Sequence, residues 1–333
     1  MSDATIAAAS AELTYIQAVN AALRWALLEY PEALVFGEDV ALPGGPYGAS
    51  KGLHKEFGER IFDTPISETA MLGAAIGAAM RGRRPIVEIM FADFFFVAFD
   101  QLVNQMSNIH YVSRGGFRLP LTIRSQQAVV PGACAQHTHA IEGFLAHIPG
   151  IRVGLAADPQ QAYEMLRAAI ASNDPVIALE TRALYQTRAE VSLDGPLEPV
   201  GGARVVRAGN DVTIVTWSRM VGQAVEAAET LAATNIEAEV IDLRWLSPLD
   251  LDTILASLER TNRLVVAHEA PLTGGFGGEI AARVAETAFD LLDAPIRRVA
   301  GSDVPIPAAP HLQAAVVPSS EAIADAARQL VAL

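Results

Sequence analysis

Cysteine is almost absent from the sequence, since Cys134 is the single one among 333 residues. One thiol cannot form an internal disulfide, and it cannot supply a cluster of thiolate ligands for zinc. The sequence therefore excludes a disulfide-stapled secreted domain and a cysteine-built metal site. It favours a reducing compartment, which we interpret as the cytoplasm.

Long apolar runs are missing as well. Charged residues such as Glu68, Arg81 and Asp93 interrupt the most apolar stretches before they reach the roughly 18 to 20 residues that a membrane span requires. Residues 1–12 carry Asp3 and Glu12 but no lysine or arginine, unlike the basic start of a signal peptide. We therefore expect a soluble, cytoplasmic chain with no membrane partner.

Basic charge is scarce relative to acidic charge. The chain has 24 lysine and arginine residues against 38 aspartate and glutamate residues, which gives a formal net charge of −14. Such a balance argues against nucleic acid as a partner, because a phosphate backbone attracts basic surfaces. It is compatible with a basic protein partner.

Short apolar runs alternate with segments of helical periodicity along most of the chain, a pattern typical of parallel sheets covered by helices on both faces. We predict an α/β fold class with two doubly wound domains, because about 100 to 200 residues make one domain. The predicted strands of the first domain are residues 33–36, 85–90, 119–124, 152–155 and 176–179. The predicted helices between them are residues 14–30, 68–81, 96–111 and 159–172.

Residues 189–200 interrupt this alternation with a glycine and two prolines, so neither a helix nor a strand is expected there. We interpret this stretch as an interdomain linker, with a first domain of residues 1–190, a linker of residues 191–200 and a second domain of residues 201–333. Strands of the second domain are predicted at 211–216, 237–242 and 263–268. Its helices are predicted at 221–234, 249–260 and 278–289.

A candidate functional residue begins one of the predicted helices. Residues 63–80 read D-T-P-I-S-E-T-A-M-L-G-A-A-I-G-A-A-M, with Ser67 placed to cap a helix and Glu68 in its first turn. The positive end of a helix dipole stabilises a carboxylate, so this pattern alone favours an ordinary first-turn glutamate. Gly73 and Gly77, four residues apart, predict close packing of this helix against another backbone, often across subunits.

Seven ordered segments carry a resemblance to a known family. They are F-G-E-D-V at 36–40, D-T-P-I-S-E at 63–68, E-I-M-F-A-D-F at 88–94, A-F-D-Q at 98–101, A-Q-H-T at 135–138, V-I-D-L-R at 240–244 and H-E-A-P-L-T-G-G-F at 268–276. The chain resembles the beta subunit of the decarboxylating, thiamine-diphosphate-dependent component of 2-oxo acid dehydrogenase complexes, which act on pyruvate, branched-chain 2-oxo acids or acetoin. The resemblance implies a transketolase-like pyrimidine-binding domain followed by a transketolase C-terminal-like domain.

The resemblance implies functions for three residues around a bound thiamine diphosphate. Glu68 would share a proton with a nitrogen of the pyrimidine ring, which drives the amino group to the imino form that deprotonates the thiazolium carbon. The ring of Phe94 would stack on the aminopyrimidine, and core packing within a phenylalanine-rich segment is the alternative. Ile66 would line the same pocket.

His137 lies in A-Q-H-T, in an expected loop where a lone histidine is usually only solvated. The resemblance places it in the active-site channel, with a function in proton handling or in acyl transfer to a lipoyl arm. His139, two residues later, would point the other way in an extended segment. The glycine-rich segment at 273–279 lacks the G-x-G-x-x-G spacing of a dinucleotide-binding loop and predicts a close-packed loop before a helix.

The resemblance also implies a potassium site built largely from backbone carbonyls near Ala169, Ile170, Ser172 and Asp174. Ser172 replaces the aspartate that is usual in the family, which weakens this expectation, and the alternative is that Asp174 only caps a loop. A second departure is R-S-Q-Q-A at 124–128, where relatives commonly have proline and glycine. It leaves the shape of that loop, and with it the substrate preference, open.

A missing motif defines the expected partner. Family members hold magnesium and the diphosphate with G-D-G followed by an asparagine, and this chain contains no G-D-G. The resemblance therefore implies an alpha subunit that binds the magnesium and completes the site in an alpha2-beta2 heterotetramer, and we predict no metal ligands on this chain. The second domain would contact the other subunits and a lipoyl acyltransferase core, whose small binding domain is usually basic.

The expected reaction is oxidative decarboxylation of a 2-oxo acid, pyruvate or branched-chain, with reductive acylation of lipoyl groups. H-E-A-P-L-T-G-G-F looks like branched-chain enzymes and A-Q-H-T like pyruvate or acetoin enzymes, so an acetoin dehydrogenase beta subunit is one alternative. Half of a split transketolase-type enzyme is another, but it should need basic phosphate-binding residues, and Lys51 and Lys55 are the only lysines. A non-catalytic scaffold subunit is the third, and the intact Glu68 argues against it.

Overall fold

Two large β-sheets and one two-stranded sheet organise the chain. The computed structural model describes residues 10–333. Residues 1–9, which include Asp3 and the start of the predicted first domain, lie outside the described residues. The prediction of an α/β fold with two doubly wound units is confirmed. Among residues 10–333, no helix has both the length and the hydropathy needed to cross a bilayer.

Strands run through the whole of the described chain. In chain order they are β1 (Ser10–Thr14), β2 (Ala33–Gly37), β3 (Ile61–Asp63), β4 (Arg84–Ile89), β5 (Thr122–Gln127), β6 (Arg152–Leu155), β7 (Val176–Thr181), β8 (Arg188–Ser192), β9 (Arg204–Arg207), β10 (Val212–Thr216), β11 (Ala238–Asp242), β12 (Trp245–Ser247), β13 (Leu264–Pro271) and β14 (Arg297–Gly301). The larger sheet has the order β12-β6-β7-β5-β4-β2-β3 and is parallel except for β12. The second has the order β14-β13-β10-β11-β9 and is parallel except for β9, and β1 pairs with β8 in an antiparallel sheet.

Helices connect and cover these strands. In the described residues the α-helices are α1 (Tyr15–Glu29), α2 (Leu53–Phe57), α3 (Glu68–Met80), α4 (Ile109–Val112), α5 (Glu142–Ala146), α6 (Pro159–Ala171), α7 (Met220–Ala232), α8 (Leu251–Thr261), α9 (Gly277–Ala288), α10 (Pro310–Val316) and α11 (Ser320–Val331). Short 3₁₀ helices occur at Gly58–Arg60, Ala92–Ala98, Arg182–Leu184 and Phe289–Leu291, and a π-helical segment at Gln101–Met106.

Local side-chain hydrogen bonds explain where two helices of the first unit begin. Thr14 and Gln17 form a reciprocal capping box at α1. The Thr14 amide donates to the Gln17 side chain at 2.8 Å, and the Gln17 amide donates to the Thr14 hydroxyl at 3.3 Å. Ser67 caps α3 by accepting from the amide three residues later. Glu68 is therefore the first residue of α3, as the sequence predicts.

Apolar side chains fill both faces of the seven-stranded sheet. One face packs against α1 and α6 through residues such as Leu23 and Leu166. The other face packs against α3 through residues such as Met71 and continues into the second unit, where Trp217 and Leu264 belong to the same buried cluster. The two units thus share a core, and β12, from the second half of the chain, extends the first sheet by pairing with β6.

The prediction of one helix over residues 96–111 is wrong. The chain forms instead the 3₁₀ helix Ala92–Ala98, the π-helical segment Gln101–Met106 and the short α4. Polar side chains compete for the helical carbonyls here, since the Ser107 hydroxyl and the Asn108 amide both donate to the Val103 carbonyl, at 2.6 and 2.9 Å. Such side-chain bonds interrupt the regular pattern of an α-helix.

The prediction that no strand enters residues 189–200 is also wrong. β8 extends to Ser192 and pairs with β1, and the Ser10 hydroxyl donates to the Glu190 carboxylate at 2.6 Å. Val191 is buried while its neighbours are more exposed, which is the alternation of a strand with one covered face. The domain limits themselves, 1–190 and 201–333, stay predictions.

A buried ion cluster lies in the middle of the first sheet. The Arg124 guanidinium on β5 contacts Glu88 on β4 at 2.8 Å and Glu180 on β7 at 2.7 Å, and all three side chains are buried. Burial opposes the charge of Arg124, but the two carboxylates outweigh that penalty and raise the pKa of the guanidinium. The Tyr185 hydroxyl and the Gln126 amide donate to the same carboxylates. Residues 124–127 of the atypical R-S-Q-Q-A segment belong to the buried strand β5.

We expect Arg124→Met to lower the free energy of unfolding by about 3 to 5 kcal/mol, because it leaves two buried carboxylates without their counter-charge. Arg24→Met is the matched control, since Arg24 pairs with Glu56 at 2.7 Å on the surface. A surface pair of this kind contributes about 0 to 1 kcal/mol. Urea unfolding followed by circular dichroism measures both variants. Equal losses in the two would contradict a structural function of the buried cluster.

Candidate active site at the carboxyl edge of the first sheet

The candidate site lies where the parallel strands of the first sheet end. β2, β3, β4, β5 and β7 run in the same direction, so their carboxyl ends share one edge. Ile66 and Glu68 follow β3, Phe94 follows β4 and His137 follows β5. The structure therefore brings all four predicted residues to one edge, while their individual functions stay predictions.

Two buried carboxyl groups lie at this edge. Glu68, at the start of α3, is 7% exposed, and Glu38, directly after β2, is 8% exposed. Burial raises the pKa of Glu38, and the negative charges of Glu68, Asp39 and Glu88 add to the rise. The Oε1 atom of Glu38 is buried and has no hydrogen-bond partner among the described residues. Such a pair fits a ligand that brings hydrogen-bond donors or a proton, as an aminopyrimidine does.

Aromatic rings surround His137. Its imidazole packs edge-on against Phe91 and Phe94, with ring centroids 4.6 and 5.7 Å apart. Phe91 has a φ of +117°, a strained value for a bulky residue. Phe94 is half-buried against the apolar core, so its place is compatible both with stacking on a ligand and with core packing. Ile66 is 80% exposed and borders an open surface.

Arg182 is a residue of this edge that sequence reasoning missed. It follows β7 and donates to the His137 carbonyl at 2.6 Å and to the Tyr47 hydroxyl at 3.1 Å. Its guanidinium also lies over the Phe91 ring, 4.9 Å from the centroid. The signal in the sequence was its position shortly after a predicted strand, because the carboxyl ends of parallel strands lie at the same edge of the sheet.

Asp93 and His139 form a further pair beside the aromatic rings. Oδ1 of Asp93 lies 2.5 Å from Nδ1 of His139, and the Asp93 side chain is 6% exposed whereas that of His139 is 58% exposed. The two histidines therefore have different partners. His137 packs on phenylalanines, and His139 is oriented by a buried carboxylate.

The carbonyls of the expected potassium site already contact a cation of the chain. Arg84 donates to the Ile170 carbonyl at 2.6 Å and to the Ser172 carbonyl at 2.9 Å, near the end of α6. Asp174 accepts a hydrogen bond from Arg152 at 2.7 Å. A potassium ion would have to share the two carbonyls with the guanidinium, so the arrangement does not favour it. In residues 10–333, no three histidine, cysteine, aspartate or glutamate side chains converge as metal ligands.

Comparison with known proteins decides the family. Residues 11–188 match the pyrimidine-binding domain of transketolase, and residues 201–323 match the transketolase C-terminal domain. The chain is 43% identical to the pyruvate dehydrogenase E1 component subunit beta of Leifsonia xyli, over 94% of this chain and 93% of that protein. The chain belongs to the E1 beta-subunit family.

Other members of this family carry different names. The acetoin:2,6-dichlorophenolindophenol oxidoreductase subunit beta of Cupriavidus necator is 42% identical, covering 94% of this chain and 95% of the relative. The 3-methyl-2-oxobutanoate dehydrogenase subunit beta of Mycobacterium tuberculosis is 40% identical, covering 99% and 96%. A solved structure titled split gene transketolase, inactive beta4 tetramer, matches with a TM-score of 0.80 at 26% identity, covering 96% of this chain and 99% of that chain. The resemblance inferred from the sequence motifs is confirmed.

In this E1 beta-subunit fold, a glutamate of the second unit contacts the site loop, which is the loop between β5 and α5 that carries His137. The Glu269 carboxylate accepts a 2.7 Å hydrogen bond from the Val129 amide and lies 2.8 Å from the Arg219 guanidinium. Burial raises the pKa of Glu269 to about 7, and the charge of Glu142 adds to the rise, whereas Arg219 and the Val129 amide oppose it. A buried carboxyl group with a raised pKa therefore contacts the backbone of the loop that carries His137.

We expect Glu269 to make protein stability fall as the pH rises from about 5 to 8. Its folded pKa of about 7 lies above the unfolded value of about 4.3, so the folded chain binds this proton more tightly and loses that advantage as the proton leaves. Glu269→Gln should flatten the decline by about 2 to 3 kcal/mol, and Glu279→Gln, on the exposed face of α9, should not. Urea midpoints across this pH range test it. Parallel curves for the wild type and Glu269→Gln would contradict the assignment.

Proposed function

We propose that this chain is the beta subunit of a thiamine-diphosphate-dependent 2-oxo acid dehydrogenase. Together with an alpha subunit it catalyses the oxidative decarboxylation of pyruvate or a branched-chain 2-oxo acid and the reductive acylation of lipoyl groups. The observation that carries the proposal is the buried pair Glu38 and Glu68 at the carboxyl edge. This pair lies within residues 11–188, which match the pyrimidine-binding domain of transketolase.

The side chains of the edge suit a pyrimidine ring. Glu68 would hold a proton at a ring nitrogen of the bound cofactor, because a buried carboxylate hydrogen-bonds strongly to a protonated heterocycle. Glu38, with its unpartnered Oε1 and raised pKa, accepts from a donor beside it. Phe94 offers an aromatic face and Ile66 an apolar border. The cofactor, when bound, supplies the nucleophilic carbon for the 2-oxo group.

His137 handles protons or assists acyl transfer at the channel side of this edge. Its ring is held by Phe91 and Phe94, and its backbone carbonyl is held by Arg182. The contacts with the ring and the hydrogen bond to the backbone together orient the His137 side chain. Orientation of this kind is what a proton-transfer group requires, since reach to the reacting atom decides its effect.

The incomplete motif set argues for a partner subunit. The sequence contains no G-D-G, so an alpha subunit binds the diphosphate and magnesium in an alpha2-beta2 heterotetramer. Exposed apolar side chains at the edge, among them Ile66, Phe96 and Val97, suit coverage by another subunit. Gly73 and Gly77 lie on an open face of α3 that permits close helix packing. The net charge of −14 suits a basic binding domain on a lipoyl acyltransferase core, in the cytoplasm.

Three relatives named for different substrates have similar identities to this chain. Relatives named for pyruvate, acetoin and 3-methyl-2-oxobutanoate are 43, 42 and 40% identical, so identity does not separate them. The structural neighbour titled split gene transketolase makes a sugar-acting half enzyme the second candidate. Against it, Arg182 directs its N–H groups at Tyr47 and the His137 carbonyl, which leaves fewer donors for a sugar phosphate.

Glu68→Gln should lower kcat of the co-expressed alpha2-beta2 enzyme at least about 100-fold, because an amide cannot exchange the proton that the carboxylate holds. Glu59→Gln is the matched control, since Glu59 lies exposed on the 3₁₀ helix Gly58–Arg60, and it should keep full activity. Gel filtration and circular dichroism check assembly and fold. Full activity of an assembled Glu68→Gln enzyme would refute the proposed mechanism and favour the scaffold alternative.

Dye-coupled oxidation of pyruvate, 3-methyl-2-oxobutanoate and acetoin tests the substrate class. We expect turnover of one of the two 2-oxo acids, dependent on thiamine diphosphate and on both chains, because the cofactor site lies between subunits. Each chain alone is the control. Turnover of acetoin alone would support the acetoin dehydrogenase alternative. An intact heterotetramer could instead turn over none of the three compounds and transfer two-carbon units between sugar phosphates. That result would replace the proposal with the split-transketolase one.

A further inference from the structure

The loop that carries His137 contains a tight turn a few residues before the histidine. Residues 128–141 connect β5 to α5, and within them the Ala133 amide donates to the Val130 carbonyl at 3.1 Å. Gly132 has a φ of +85°, a conformation that favours glycine. The His137 amide then donates to the Cys134 carbonyl at 3.0 Å. The position of the turn at residues 130–133 therefore influences the position of the His137 backbone.

A glutamine from the far end of the chain holds this turn. Nε2 of Gln313, on α10, donates to the Val130 carbonyl at 3.2 Å and to the Ala133 carbonyl at 2.8 Å. The Gln313 side chain is buried. Both hydrogens of one amide group are thus used on the two ends of one turn. Gln313 lies 180 residues after Ala133 in the sequence, so this contact belongs to the tertiary structure alone.

Other side chains hold the same loop at neighbouring points. Glu269 accepts from the Val129 amide, Arg182 donates to the His137 carbonyl, and Asp93 contacts the His139 ring. These three side chains are ionisable, and the Arg182 guanidinium also lies over the Phe91 ring that packs against His137. Gln313 is different, because it is neutral, buried and attached to the turn by two hydrogen bonds.

We propose that Gln313 is a positioning residue for His137. By joining the turn at residues 130–133 to α10, it holds the loop at the place where the imidazole packs against Phe91 and Phe94. Two hydrogen bonds from one amide fix both distance and direction without adding a charge near the site. The inference rests on the proposed function, because it takes His137 as a group that acts in the reaction.

A double-mutant cycle in the alpha2-beta2 holoenzyme tests the proposal. Gln313→Met keeps the side-chain length and removes both donors. It should lower kcat for reductive acylation of lipoyl groups about tenfold, because a displaced catalytic group loses reach. In a His137→Asn background the same change should cause no further loss, since the effect passes through His137. The same fold-loss in both backgrounds would show a general structural effect and overturn the proposal, as would full activity of Gln313→Met.

Gln223→Met is the matched control for this cycle. Oε1 of Gln223 accepts from the Ser320 amide at 3.1 Å, which joins α7 to α11 within the second unit and away from the site loop. We expect its kcat to stay within about twofold of the wild type. If Gln313→Met does not assemble, Gln313→Asn replaces it. Its amide is one methylene shorter and cannot reach both carbonyls, and the same criteria apply to it.

Amide hydrogen exchange gives a readout that does not need activity. In the purified heterotetramer, Gln313→Met should speed exchange in residues 128–141, and Gln223→Met should not. Unchanged exchange in this loop would overturn the proposal even if the enzyme is active. If Gln313→Met speeds exchange in this loop but the wild-type enzyme turns over no 2-oxo acid, the contact is supported and the proposed function is refuted. The two failures are thereby distinguished.

Discussion

One positive charge between two buried carboxylates is the interaction on which the first sheet depends. Arg124 joins β4, β5 and β7 through Glu88 and Glu180, and these pairs cross three neighbouring strands. Burying charges is costly, so the cluster tolerates one register in which every charge keeps its partner. The charge of Glu88 also contributes to the raised pKa of Glu38. The core electrostatics and the chemistry of the carboxyl edge are therefore coupled.

The second half of the chain takes part in building the first. β12 extends the seven-stranded sheet, Trp217 lies in its buried cluster, and Glu269 and Gln313 reach the loop after β5. Each contact comes from a different segment of the second half of the chain. The loop that carries His137 therefore has its place set by both units, although all the predicted site residues come from the first.

Arginine side chains hold backbone carbonyls at the end of α6 and in the loop between β5 and α5. Arg84 donates to the Ile170 and Ser172 carbonyls near the end of α6, and Arg182 donates to the His137 carbonyl. Helix ends leave carbonyls unpaired, and a guanidinium presents several donors in a fixed geometry that can satisfy them. At the end of α6 this group stands among the carbonyls that the family resemblance associates with potassium.

The sequence by itself determined the features that depend on local pattern. Helices α1, α3 and α6, the start of α3 at Glu68 and the placement of His137 in a loop follow from periodicity, capping and ordered motifs. It could not show that residues 96–111 divide into three short segments, because that depends on side chains competing for carbonyls.

Only the tertiary structure decided which distant residues meet. Arg182 and Gln313 join the loop after β5 across 45 and 180 residues of sequence. The physical reason is that such contacts follow from the order of strands in a sheet and from the packing of two units, and a local pattern of residues encodes neither.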